Sequence, residues 1–402
     1  MRVLVATHNY PRHAGDHAGA FVARLAAGLL ELGHELHVVA PHAPGLVEHE
    51  IMDGIAVERF RYAPEPLEAV AYRGDMHRRS LASPVAALGI PAFFAAFALA
   101  IRRAERRLSP NLVHAHWWLP AGWLASRSRA PFVVTCHGSD VRLLERGALV
   151  RRIASNTLRR ASVTTTVSDF LRRDLTARLD GAPIDVRTLR MPVDTAIFQR
   201  AASSPKAAPA RVLYAGNMLA SKGVPDLLKA FAVLRHQGVP CELRLVGDGP
   251  DRAAFEALAA GLGVADVVTW AGTVSHDRIA DEYAAATVTV LPSRGLAEGL
   301  GLTLVEALAS SCAVVGTMAG GIPEVVLHGE TGLLARASDP EHLAQQLERM
   351  LRNVPLRTRL TSAGRAHVRA LFAPAAAVAA YDALYGEVVA HDAVARAHSR
   401  RA

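Results

Sequence analysis

Lysine is almost missing from this 402-residue chain: Lys206, Lys222 and Lys229 stand against 42 arginines. A lysine kept in a loop of such a chain is consistent either with a need for a compact ammonium in place of the planar fork of arginine or with a solvated loop lysine. Cysteine is equally scarce, and Cys136, Cys241 and Cys312 lie too far apart for a metal knuckle or a disulfide framework. That usage suits a reducing compartment, and Met1–Thr7 enters a strand-like run without the basic and apolar regions of a secretory leader. A cytoplasmic location is expected. No Asp-x-Asp occurs, the short carboxylate pair that would hold a divalent cation against a diphosphate. Nor does Gly-x-Gly-x-x-Gly follow the first strand-like run, which argues against a hydride-transferring dinucleotide enzyme.

Long apolar spans are lacking too. The uncharged run 85–101 is shorter than the roughly 20 residues a span needs, and it contains Gly89 and Pro91. Arg102, Arg103, Arg106 and Arg107 follow it at once. A buried helix with a snorkelling basic end is one reading, and attachment to a membrane interface is the other. Charge is also lopsided: 25 basic and 18 acidic residues fall in 1–195, but 20 and 19 in 196–402. An arginine-rich composition alone can account for this asymmetry; read as a binding signal, it suits an anionic membrane surface better than nucleic acid, because aromatic and basic residues do not interleave and no recognition helix is evident. Peripheral association with the inner membrane face is the resulting expectation.

What is abundant is apolar sequence, 51% of residues, enough for more than one core. Short β-branched runs alternate with Ala/Leu/Arg segments at 3–6, 36–40, 112–115, 132–136 and 163–167, then again at 212–215, 243–246, 267–270, 288–291 and 313–315. That rhythm predicts two α/β domains with doubly wound parallel sheets and a ligand cleft at the carboxyl ends of their strands. The boundaries expected are 1–198, an Ala/Ser/Pro linker at 199–210, 211–372, and a helical segment 373–402 that packs back on the first domain.

The segment from Glu298 to Glu306, Glu-Gly-Leu-Gly-Leu-Thr-Leu-Val-Glu, follows a strand and opens a helix near Thr303. Gly299 and Gly301, with Leu300 and Leu302 between and after them, let backbone approach a ligand, and the helix start aims N–H groups at an anion. Glu298 is placed to accept from sugar hydroxyls and Glu306 from a ribose, although a solvated helix position also explains Glu306. Lys222 and Gly223 end a second loop that begins Gly216-Asn217. Gly320-Gly321-Ile-Pro-Glu324 is a third strand-end turn that offers backbone donors, and Gly247-Asp-Gly249-Pro is a fourth. In the first half, His137-Gly-Ser139-Asp140 closes a buried strand, and His114 and His116 share one strand face. A metal held by that histidine pair lacks a third ligand at recognisable spacing.

Taken together and in this order, these motifs resemble glycosyltransferase family 4 over nearly the whole chain. The resemblance implies a GT-B architecture, a nucleoside-diphosphate-sugar donor on the C-terminal domain, and transfer with retention of configuration and no metal or other cofactor. It implies an acceptor on the N-terminal domain, a glycan, a lipid-linked saccharide or a small polyol. Glu298 resembles the glutamate on the donor sugar, Glu306 that on the ribose, Lys222 the diphosphate ligand, and His137 the histidine that contacts the transferred sugar. These implications make His137, Lys222 and Glu298 the catalytic candidates, with His116, Ser139 and Asp140 on the acceptor side. Gly19 resembles the N-terminal glycine loop, although Gly19-Ala20 stands where Gly-Gly is usual. Asn217 stands where the family usually has arginine, so Lys222, the helix at Thr303 and Arg294 are expected to supply the phosphate-binding charge. An epimerase or phosphorylase of the same fold, and a nucleotide-sugar sensor without turnover, are the alternatives.

Overall fold

The computed structural model describes residues 1–16, 18–68, 70–72, 84–179, 181–193, 197–199, 206–295 and 298–399. The chain forms two compact units. One comprises Met1–Val167, Leu171–Pro192 and the segment from Pro374 onward; the other comprises Ser168–Phe170 and Val193–Ala373. Residues 200–205, half of the expected linker, lie outside the described residues, and Ala210 already belongs to a strand.

The N-terminal unit carries β1 (Arg2–Ala6), β2 (Glu35–Pro41), β3 (His49–Met52), β4 (Ile55–Phe60), β5 (Leu112–His116), β6 (Phe132–Cys136), β7 (Val163–Thr166) and β8 (Val186–Thr188). They form one sheet in the order β3-β4-β2-β1-β5-β6-β7-β8, parallel except where β3 lies beside β4. The other unit carries β9 (Ala210–Ala215), β10 (Cys241–Val246), β11 (Val268–Gly272), β12 (Val288–Leu291), β13 (Ala313–Thr317) and β14 (Leu333–Ala335). Its order, β11-β10-β9-β12-β13-β14, is parallel throughout. Every residue of β5, β6, β7, β12, β13 and β14 is buried, as parallel strands covered on both faces require. Both halves are therefore the doubly wound sheets that the sequence rhythm predicts.

The uncharged run lies in the helix Pro84–Leu108. Its Phe93 and Phe97 are fully buried against Phe60 of β4, with ring centroids 5.3 and 4.6 Å away. Each buried ring stabilises the unit by about 1.5–3 kcal/mol, so this face of the helix is core. Leu99 remains 48% exposed. The basic end divides: all four arginines are exposed, but Arg107 donates to Glu58 at 2.7 Å and so differs from Arg102, Arg103 and Arg106. No helix among the described residues is long and apolar enough to cross a membrane.

The last helix, Pro374–Ser399, packs on the N-terminal unit. Gly28 of the helix Ala20–Glu31 lets the two helices touch, since a Cβ there would sit 2.4 Å from Val378. Tyr381 and Tyr385 are fully buried, and Asp382 accepts from or pairs with His34 Nε2 at 2.8 Å.

Candidate active site

In the N-terminal unit, the expected residues gather at the carboxyl ends of β5 and β6. The first turn after β5 places Trp117 at φ 66°, a conformation that residues with side chains seldom adopt. It holds the indole 4.4 Å from the ring of His137, while Phe21 lies 4.8 Å from His137 and His8 lies 4.4 Å from Trp117. Gly19, just before Phe21, has φ 65°, and a Cβ there would meet the Asn9 carbonyl oxygen at 2.1 Å. Only glycine fits that turn.

His116 Nδ1 and His137 Nε2 face each other at 3.0 Å, so one nitrogen must carry a proton and the other must not. Burial pushes both imidazoles well below their ordinary range, and the neighbouring histidines push the same way. His114 is held at about 3 by burial. Its Nδ1 lies 2.6 Å from the Tyr385 hydroxyl and its Nε2 2.7 Å from Thr135 Oγ1, which leaves neither ring nitrogen open. Among the described residues, no group of three His, Cys, Asp or Glu side chains is placed to hold a metal.

Two acceptor-side expectations change. Asp140 is 2% exposed, and its carboxylate accepts the backbone N–H groups of Trp118, His137 and Gly138, each at 3.0 Å. It ties the two strand-end loops together instead of meeting a ligand. Burial raises its pKa, against the pull of those three donors. His116 is likewise buried, at 1% exposure, and supports His137 from behind. Ser139 is exposed and accepts from Trp117 Nε1 at 3.1 Å.

In the C-terminal unit, the loops after β9, β10, β12 and β13 converge. Lys222, in the short turn Ala220–Lys222 after β9, donates to Glu298 Oε2 at 2.8 Å. Ser293, just after β12, donates to the same oxygen at 3.1 Å. A cation and a carboxylate 76 positions apart are thus brought together at the carboxyl ends of the central strands β9 and β12. Gly320 and Gly321 support Glu298 from below. A Cβ on Gly320, at φ 54°, would lie 1.9 Å from the Glu298 carbonyl oxygen, and Gly321 N–H donates to that oxygen at 3.0 Å. The Gly321 donor is therefore spent on the loop rather than offered to an anion, which corrects that part of the expectation.

The helix Leu302–Ala309 begins one residue before Thr303, with Gly301 as its cap and Gly299 and Leu300 leading in. Thr303 Oγ1 donates to the Ala215 carbonyl at 3.2 Å and fastens this helix start to the β9 loop. Glu306, one turn on, accepts from the Tyr283 hydroxyl at 3.0 Å. Gly249 packs under Met218, where a Cβ would lie 2.5 Å from the carbonyl oxygen, and Gly216 N–H donates to Val246 at 3.0 Å. Asn217 is exposed. Arg294 departs from expectation: Asp226 grips its guanidinium through both carboxylate oxygens and neutralises the charge. Lys222 is left as the principal cation of the group.

Sequence reasoning missed Trp117, Phe21, Ser293, Tyr283 and Asp226. Trp117 directly follows the apolar run of β5 and Asp226 lies four positions after Lys222, so both were within reach. Tyr283 lies in a helix far from any motif and carried no signal.

Comparison with known proteins bears on the family and the fold. Residues 196–367 match the family described as glycosyl transferases group 1, and residues 18–197 match glycosyltransferase family 4. The chain is 26% identical over 405 residues to N-acetyl-alpha-D-glucosaminyl L-malate synthase of Bacillus anthracis, covering 98% of this chain and 99% of that protein. It is 32% identical over 318 residues to D-inositol 3-phosphate glycosyltransferase of Acidothermus cellulolyticus, covering 69% and 68%. Among solved structures, sucrose-phosphate synthase from Thermosynechococcus elongatus superposes with a TM-score of 0.80 at 22% identity, covering 97% of this chain and all of that one. The fold is GT-B, and the chain belongs to glycosyltransferase family 4.

Proposed function

We propose that the protein moves a sugar from a UDP- or GDP-sugar to a hydroxyl acceptor in cell-surface polysaccharide or glycolipid assembly, with retention of configuration and without a metal. The carrying observation is the Lys222–Glu298 pair at 2.8 Å, steadied by Ser293. An ammonium has three N–H donors, and one is taken by Glu298, so two can reach a diphosphate. The start of the helix Leu302–Ala309 adds its positive dipole end. As the bond between the anomeric carbon and the β-phosphate oxygen breaks, negative charge grows on that oxygen, and fixed donors around it lower the barrier. The acceptor hydroxyl attacks the same face, and its proton goes to the departing phosphate. Glu298 Oε1 accepts from sugar hydroxyls, Glu306 accepts from the ribose, and the neutral His137 hydrogen-bonds the transferred sugar without adding charge.

Incubation with a panel of nucleotide sugars and glycan, lipid-linked and polyol acceptors tests the reading, with product linkage determined by NMR. Release of nucleoside diphosphate only when acceptor is present, and an unchanged anomeric configuration, are expected. Glu298→Gln should lower turnover more than nucleotide affinity, and Glu306→Ala mainly nucleotide affinity; exchanged phenotypes would reverse the two roles. Activity should survive a chelator, and strict dependence on manganese or magnesium would overturn the metal-free mechanism.

A further inference from the structure

A pocket of about 670 Å³ opens in the N-terminal unit where Asn111 and Pro131 lead into β5 and β6. His116 and His137 lie beyond the other ends of those strands, roughly 13 Å away at the rise of a β-strand, so the pocket is separate from the candidate active site. Five arginines line it, Arg102, Arg106, Arg127, Arg129 and Arg396, against two carboxylates. Both carboxylates are engaged. Glu105 accepts the backbone N–H groups of Arg129 and Ala130, and Asp392 pairs with Arg396 at 2.6 Å. Arg127 lies over the Trp123 ring at 4.3 Å and donates to the Trp123 carbonyl at 2.8 Å. Among the described residues, the guanidinium groups of Arg102, Arg106 and Arg129 have no acceptor. Three cations gathered on one concavity repel one another, and an anion with several oxygens relieves that repulsion through charge-assisted hydrogen bonds.

Beside the pocket runs a smaller hollow of about 290 Å³, lined on its apolar side by Phe94, Ala98, Ile101, Trp123 and Leu124. The two share Arg102, Glu105 and Arg127, so a cationic cup continues directly into an apolar groove. A free phosphate or a soluble phosphate ester would use the first and leave the second uncovered. We propose that the two hollows together form a second ligand site for a phosphate ester carrying an apolar chain, as an anionic phospholipid presents it. The phosphate lies among Arg102, Arg106 and Arg129, and the chain runs along Trp123 and Phe94. The half-exposed Leu99 on the same helix adds apolar contact with the surrounding bilayer. This assignment narrows the membrane contact to built features: Arg107, which pairs with Glu58, lines neither hollow, and Arg129 joins from elsewhere in the chain.

The test is binding of the full chain to phosphatidylcholine vesicles with and without phosphatidylglycerol, read by co-sedimentation and by quenching of tryptophan fluorescence with brominated acyl chains. It does not depend on the transfer reaction. Arg106→Gln/Arg129→Gln should weaken binding to the anionic vesicles by roughly thirtyfold, at about 1 kcal/mol for each arginine near the surface. Arg103→Gln/Arg152→Gln removes the same charge from exposed positions outside the pocket and should weaken it by no more than about threefold. Trp123→Phe should remove most of the quenching while binding persists, and thermal unfolding checks that each variant is folded. Equal weakening by the two double variants would mean diffuse surface attraction and overturn the site. So would absence of binding to anionic vesicles, or glycerol phosphate binding to the protein as tightly as the lipid does with no quenching of Trp123.

Discussion

The candidate site residues of the two units handle polarity in opposite ways. At the carboxyl ends of β5 and β6, polarity is stripped of charge: three histidines are packed against aromatic rings and kept neutral by burial, and the one carboxylate, Asp140, is spent on backbone N–H groups. At the carboxyl ends of β9 and β12, charge is kept but paired, Lys222 with Glu298 and Arg294 with Asp226. A neutral, dehydrated wall suits hydroxyl recognition, where shape and hydrogen bonds discriminate. Paired charges at partly exposed positions, 23% and 13% for Lys222 and Glu298, can exchange partners with an incoming anion, as the proposed diphosphate donor requires.

The sharpest way to break this contrast is to remove the cation. Lys222→Ala should lower turnover by at least about a hundredfold, measured in steady state with saturating acceptor, because Glu298 takes one of the three ammonium donors and leaves two for the departing phosphate, whereas both carboxylate oxygens of Asp226 hold Arg294. Wild-type turnover would remove Lys222 from the site.

Acid should instead strike the neutral wall. His114 has its folded pKa at about 3, below an unfolded value near 6.5, so the unfolded chain binds the extra proton. Stability therefore falls as pH drops below about 6.5, by up to about 1.4 kcal/mol per pH unit for this one group, until pH nears 3. His114→Gln can still bond Tyr385 and Thr135 but does not titrate. Between pH 6.5 and 4.5, wild type should lose about 2–3 kcal/mol more than the variant in denaturant unfolding. Parallel curves would show that His114 is not buried neutral.

The sequence made much of this contrast legible, and the exceptions have physical causes. Parallel strands appear as short β-branched runs, and those buried on both faces, such as β5, β6, β12 and β13, carry no charged residue other than histidine, which is why ten strands could be placed. β4 escaped because Glu58 and Arg59 interrupt it, although both are buried, Glu58 by Arg107 and His37, Arg59 by Glu50, Tyr72 and the Pro11 carbonyl. β8 and β14 span three residues each, too short for a periodic signal. In the site, Glu298 and Lys222 announced themselves through glycine-rich loops. The neutralisation of Arg294 did not, because the bond to Asp226 spans 68 positions and depends on how the loop after β12 meets the first turn of the helix Val224–His236.

The smallest expected effect concerns Asn217, exposed beside the Lys222 loop. Asn217→Arg adds a cation to the charged side of the comparison and should tighten nucleoside-diphosphate binding by about 1 kcal/mol, roughly fivefold, by calorimetry. Weaker binding would give Asn217 a role of its own.

The order of synthesis gives the last helix a further meaning. Translation delivers the N-terminal sheet first, yet His34, His114 and Gly28 await Asp382, Tyr385 and Val378, which emerge some 350, 270 and 350 residues later. The C-terminal unit, complete at Ala373, can close while the earlier half is still unfinished. A chain stopped at residue 373 would keep every donor-side residue and leave His114 and the face of β5 uncovered. The first half to be made is the last to be completed, so closure over His114 and β5 is coupled to arrival of the helix Pro374–Ser399.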